Sequence, residues 1–211
     1  MKLRPSDKLC IAFTSTYLLA AAGFAVFTGN TEFIFYIAIM LVLIALFAVV
    51  HIMIEVSRPL VWGLSIWGAL HMAGGLVPVP NSWPIDGNVR VLYSLWLIPT
   101  WLKYDQVVHA YGFAMTTWLC WEGLRRMLAE ARGSTRADIK PALGALVLSG
   151  AAGMGFGALN EVVEFAATLL LPSTNVGGYN NTGWDLVSNL VGCILAAVAI
   201  RLTYRDTRPP R

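Results

Sequence analysis

Six apolar stretches, each long enough to cross a bilayer, occupy nearly all of this chain: about residues 9–28, 32–54, 60–77, 104–124, 141–171 and 184–203. A hydrocarbon core of about 30 Å takes roughly 20 apolar residues of helix, so the spacing predicts an all-α polytopic membrane bundle of about six transmembrane helices. Composition agrees, since 57% hydrophobic and 13% charged residues with a mean hydropathy of +0.64 are too apolar for an ordinary soluble domain. The stretches leave no room for a separate soluble domain, and residues 1–211 read as a single integral membrane domain. Lys2, Arg4 and Lys8 ahead of the first run resemble the start of a signal peptide. The run continues through Phe27 without a polar cleavage region, which predicts an uncleaved first helix.

The net charge of +3 matters less than its placement. Lys and Arg gather at the N-terminus, at Arg125, Arg126, Arg132, Arg136 and Lys140, and at Arg201, Arg205, Arg208 and Arg211, whereas the segments between spans one and two and between spans five and six have none. The positive-inside rule then puts both termini in the cytoplasm, as expected of a multi-pass protein of the cell inner membrane. Membrane lipid is the implied partner, and a homo-oligomer is compatible with such a bundle. No aromatic-interleaved basic platform accompanies the charges, which argues against nucleic acid. Cys10, Cys120 and Cys193 each fall inside a span, so neither a disulfide framework nor a thiolate metal motif is expected. There is no nucleotide or flavin motif.

Against this apolar background the ionisable residues stand out. Asn160-Glu161-Val162-Val163-Glu164 lies inside the run from Pro141 to Leu171. A carboxylate facing lipid costs at least about 2.5–3.5 kcal/mol, so the pair should face protein or water. At 100° per residue, Gly150, Gly153, Gly157, Asn160, Glu161, Glu164 and Thr168 share one sector of roughly 100°. Gly153-x-x-x-Gly157 on that face admits a neighbouring helix closely and turns the acids into the bundle. In span four Asp105 and His109 are one turn apart, with Gly112 and Thr116 continuing their face. Span six repeats the pattern with Asp185, Asn189, Gly192 and Ala196, although Asp185 could equally cap that helix. His71 shares a face of span three with Gly68 and Gly75. Between spans three and four, Pro78, Pro80, Pro84 and Pro99 exclude a continuous helix, and Val89 to Ile98 could lie along the interface as a short amphipathic piece.

The charge-derived topology puts His71, Asp105, His109, Glu161, Glu164 and Asp185 all in the outer half of the membrane, which is consistent with one polar cavity shared by spans three to six. Two imidazoles and up to four carboxylates form an N/O donor set suited to Zn, Mn or Fe. The expected arrangement has His71, Asp105, His109, Glu161 and Glu164 as metal ligands. Glu161, Glu164 and Asp185 serve as the catalytic acids, and Asn160, Ser188 and Asn189 orient the substrate or form a second layer. That chemistry is a divalent-metal-dependent membrane enzyme, a hydrolase acting on a lipid or lipid-linked envelope substrate. The same acids could instead carry protons or cations through a transporter or lipid flippase, or clasp a partner helix in a non-catalytic subunit.

Lys103-x-Asp105-x-x-x-His109, Asn160-Glu161-x-x-Glu164 and Asp185-x-x-x-Asn189-x-x-Gly192 resemble the YjdF-like bacterial inner-membrane proteins, a family without an assigned activity. They are also similar to the Lys/Asp-x-x-His, Glu-x-x-Gln and Asp-x-x-x-Asn-x-x-Gly pattern of VanZ-like membrane proteins, and the resemblance covers roughly residues 60–200. The VanZ-like resemblance implies a cell-envelope protein linked to glycopeptide (teicoplanin-type) tolerance. Glu164 stands where that pattern has glutamine and His71 has no counterpart in it, departures that favour the YjdF-like likeness.

Overall fold

The computed structural model describes residues 5–204; Lys2, Arg4, Arg205, Arg208 and Arg211, part of the basic clusters, lie outside the described residues. Six helices follow one another: α1 (Pro5–Thr28), α2 (Thr31–Ile54), α3 (Arg58–Leu76), α4 (Tyr104–Ala131), α5 (Leu143–Leu170) and α6 (Tyr179–Thr203). Four of them, α1, α2, α5 and α6, are long and apolar enough to cross a membrane. α3 and α4 carry more Gly, polar and charged residues, which fits their place inside: α4 packs against α3, α5 and α6. α2 is apolar all round and buries only Phe33, Tyr36 and Ile37, leaving Leu41, Val42, Leu46, Val49 and Ile52 exposed as a lipid-facing helix requires.

Local sequence sets the breaks. Gly29 at φ +66° ends α1, and Asn30 starts α2 by accepting a hydrogen bond from the Phe33 N–H at 3.0 Å. Pro59 occupies the first turn of α3, and Pro172 follows the end of α5. The backbone of Lys103 donates to the Gln106 side chain at 2.9 Å at the head of α4.

Between α3 and α4, the stretch Val89 to Ile98, expected as a short amphipathic piece along the interface, is not one continuous element. The segment forms a 3-10 turn at Leu92–Ser94 and a small antiparallel pair, β1 (Trp96–Ile98) with β2 (Leu102–Lys103). Pro84, Pro99 and the Asp86-Gly87 turn cut the chain too short for a helix, and the backbone bonds fold back instead, Asp86 N–H to the Ser94 carbonyl at 2.7 Å and Trp96 N–H to the Pro84 carbonyl at 3.0 Å.

Two ends of the bundle are distinct. At one, the α1–α2 turn, the α3–α4 segment and the α5–α6 loop meet: the Asn175 backbone N–H donates to the Glu32 carboxylate at 3.0 Å, and the Asn175 amide lies 3.5 Å from the Ser94 hydroxyl. At the other, Arg136 donates to the carbonyls of Ile54 and Glu55, and the Tyr204 hydroxyl reaches the Ala137 carbonyl at 3.5 Å. Arg58, Arg125, Arg126, Arg132, Arg136, Lys140 and Arg201 all belong to this second end.

Close approach of helices depends on small residues. Gly192 of α6 faces the backbone carbonyl of Ala110 on α4, where a Cβ would collide with main chain that has no rotamer to give. Gly155 on α5, by contrast, faces open space. Gly192→Val is expected to lower stability by about 1–3 kcal/mol, read as a fall in Tm in detergent, while Gly155→Ala leaves Tm unchanged or slightly raised.

Candidate metal centre

The polar residues of α4, α5 and α6 converge near the loop-rich end. The geometry starts from the α4–α6 contact. Because Gly192 lets the two helices approach, Asn189, one turn earlier on α6, comes within hydrogen-bond reach of His109: Asn189 Oδ1 lies 3.1 Å from His109 Nδ1. With an amide oxygen as its neighbour, Nδ1 is assigned the proton, which leaves Nε2 as the basic nitrogen. Nε2 faces Asp105, 3.6 Å from its Oδ1, and Nδ1 lies 4.0 Å from Glu161 Oε1 on α5.

Two groups of ligand atoms, each within 4.8 Å, share this imidazole: Asp105, His109 and Asp185, and His109, Glu161 and Glu164. Asp185 and Asn189 are fully buried, each 0% exposed. The Asn160 side-chain amide donates to Glu164 Oε1 at 2.8 Å, and the Asn181 amide donates to Asp185 Oδ2 at 2.6 Å. Among the described residues, both Glu161 oxygens and Asp185 Oδ1 are buried without a hydrogen-bond partner. Buried carboxylate oxygens are costly unless paired, and three without a hydrogen-bond partner around one imidazole could hold a cation or share protons.

The expected faces are largely present. Gly153 and Gly157 of α5 are buried, against Thr117 and Cys193 and against Asn189 respectively, whereas Gly150 meets nothing within 4 Å and Thr168 is exposed, so the packed sector is narrower than the sequence implied. On α4, His109, Gly112 and Thr116 are buried, and on α6 so are Asp185, Asn189, Gly192 and Ala196. α6 begins at Tyr179 after Gly178, so Asp185 lies in its second turn and caps nothing. Ser188 is outside the cluster, its hydroxyl donating to the Trp184 carbonyl at 2.8 Å.

His71 stands apart from both groups. Its Nδ1 is bonded to the Tyr93 hydroxyl, and its ring sits among Phe33, Tyr36 and Tyr93 with centroids 5.6–6.3 Å away. Burial, and then the Asp105 and Glu164 carboxylates, hold the Tyr93 phenol well above its usual range. The phenol therefore keeps its proton in its hydrogen bond with the imidazole.

Lys103 had no role assigned from sequence beyond its place in a motif. Its side chain is 8% exposed, its ammonium donates to the Asn181 side-chain oxygen, and it pairs with Asp86 at 3.4 Å. A Lys-Asn-Asp chain thus runs from surface to site. The signal was present in the Lys103-x-Asp105 spacing, but Asn181 sits in a Gly/Asn-rich stretch that reads as loop.

If Asn189 orients His109, Asn189→Leu leaves a buried N–H unpaired and is expected to cost about 1–3 kcal/mol of stability. Ser188→Ala on the same helix should be close to neutral in the same thermal-unfolding measurement.

No curated protein and no solved structure matches the chain. A family model does, over residues 9–206, and its description, a predicted membrane protein, agrees with the apolar helices. The chain belongs to the DUF2238 family of predicted membrane proteins.

Proposed function

We propose that this protein is a divalent-metal-dependent enzyme of the cell inner membrane acting on a lipid or lipid-linked envelope substrate near the outer face. The observation that carries the reading is the fully buried Asp185, whose Oδ1 has no partner and which offers an oxygen within 4.8 Å of the ligand atoms of Asp105 and His109. Asp105, His109 and Asp185 make one oxygen-rich triad with a single nitrogen, suited to Mn, Fe or Zn, and Glu161 adds a carboxylate from the other side of the imidazole. His71, bonded to Tyr93, is left out of this donor set. Asn189 fixes the imidazole, as outer-layer partners of metal-bound histidines do. A bound cation supplies Lewis-acid activation of water for ester hydrolysis. Glu164, held by Asn160, is the base that takes the water's proton. Of the two likenesses of the three motifs, the VanZ-like one is what supports a role in the cell envelope.

The crowding of four carboxylates around one imidazole favours a second reading. Without a cation they must share protons, and the site then becomes a proton-coupled carrier. Elemental analysis separates the two. The enzyme reading expects about one divalent ion per chain in purified wild type, lost in Glu161→Ala and Asp185→Ala. Equal, substoichiometric metal in all three removes it.

The orientation assigned by charge places the basic end in the cytoplasm and the acidic site outside. The three native cysteines lie within helices, two of them buried. A membrane-impermeant maleimide should therefore label Gly178→Cys in intact cells, and label Arg132→Cys only after permeabilisation. The reverse pattern inverts the topology.

A further inference from the structure

At the basic end, opposite the acidic site, the α4–α5 connection and the end of α6 leave a cavity of about 230 Å³. Trp118, Trp121 and Arg125 of α4 form one side of it, and Thr203 and Tyr204 at the end of α6 form another. Arg125 is half-buried, and its Nε donates to the Arg136 carbonyl at 2.5 Å. That bond fixes the guanidinium, and among the described residues its terminal nitrogens have no hydrogen-bond partner. Among the described residues no carboxylate pairs with Arg125, whereas its neighbour Arg126 is paired with Glu130 and Arg136 with Glu55. A half-buried guanidinium without a counter-charge carries a desolvation cost that an anion would offset, and its planar donors match phosphate oxygens. The walls are Trp and Tyr, the side chains that settle at headgroup depth, and the surrounding end of the bundle is basic.

We propose that this cavity binds the phosphate headgroup of an anionic glycerophospholipid from the leaflet facing the basic end. Arg125 contacts the phosphate, Trp118, Trp121 and Tyr204 enclose the glycerol region, and the acyl chains run outward along α4 and α6. A volume of about 230 Å³ corresponds to roughly seven or eight waters of liquid volume, which suits a headgroup and excludes a whole lipid.

Native mass spectrometry of the full chain in detergent, titrated with phosphatidylglycerol, phosphatidylcholine or inorganic phosphate, tests this. Wild type should retain phosphatidylglycerol at least tenfold more tightly than phosphatidylcholine, and millimolar inorganic phosphate should not displace it. Arg125→Gln should abolish that preference, and Arg126→Gln, which changes the same charge outside the cavity, should keep it. Should Arg125→Gln fail to fold after losing its bond to Arg136, Thr203→Trp fills the cavity from its exposed rim with that bond intact and should give the same loss. Equal loss in Arg125→Gln and Arg126→Gln would mean a diffuse basic surface and overturn the proposal. So would unchanged retention in Thr203→Trp, or displacement by free phosphate.

Discussion

Ionised carboxylates do not rest among closely packed helices without a counter-charge, and in this bundle the surroundings of α4 follow from that constraint. Asp105, Glu161, Glu164 and Asp185 come from three helices to one imidazole, and the helices are spaced to allow it. Gly192 against Ala110, and Gly157 against Asn189, bring backbones close enough for short side chains to meet. Larger residues at either glycine would hold the helices apart by more than a hydrogen bond can span. Close packing and polar convergence are therefore one feature, with the glycines setting the distance and the amides and acids filling it.

Much of this could be read from the residues. The hydropathy pattern located all six helices, four of them as runs long and apolar enough to cross a membrane and α3 and α4 with more Gly, polar and charged residues. The i, i+4 spacings of Asp105 with His109 and of Asp185 with Asn189 gave the right inward faces, since 3.6 residues per turn fixes direction as well as spacing. Depth alone carried less information. His71 has Tyr93 as its partner, delivered by a proline-rich segment whose course no periodicity predicts. Asp185 was open to a capping role only because Asn180-Asn181-Thr182-Gly183 has the composition of a loop. In the fold these residues form the first turns of α6, and Asn181 bonds Asp185 one turn along. The sector on α5 was drawn too wide at Gly150 and Thr168, because periodicity gives the centre of a buried stripe better than its ends.

The two ends of the bundle divide the labour by charge. The acidic end is closed by backbone and amide bonds among three connections, including Asn175 to Glu32, which tie together parts of the chain far apart in sequence. The basic end is closed by Arg136 on the carbonyls that terminate α2, an arrangement that also suits the negative end of a helix dipole. Each closure uses polar groups where the chain leaves hydrocarbon, and the lipid-facing surfaces between them stay apolar.

Lys103 has a consequence for traffic into the acidic cluster. Its ammonium sits between the exposed carboxylate of Asp86 and the amide of Asn181, directly ahead of Asp185. A charge arriving from the Asp86 side meets that carboxylate first and the buried ammonium behind it. From surface to Asp185 the side chains thus alternate acid, base, amide and acid, so no single charge governs that stretch of the molecule.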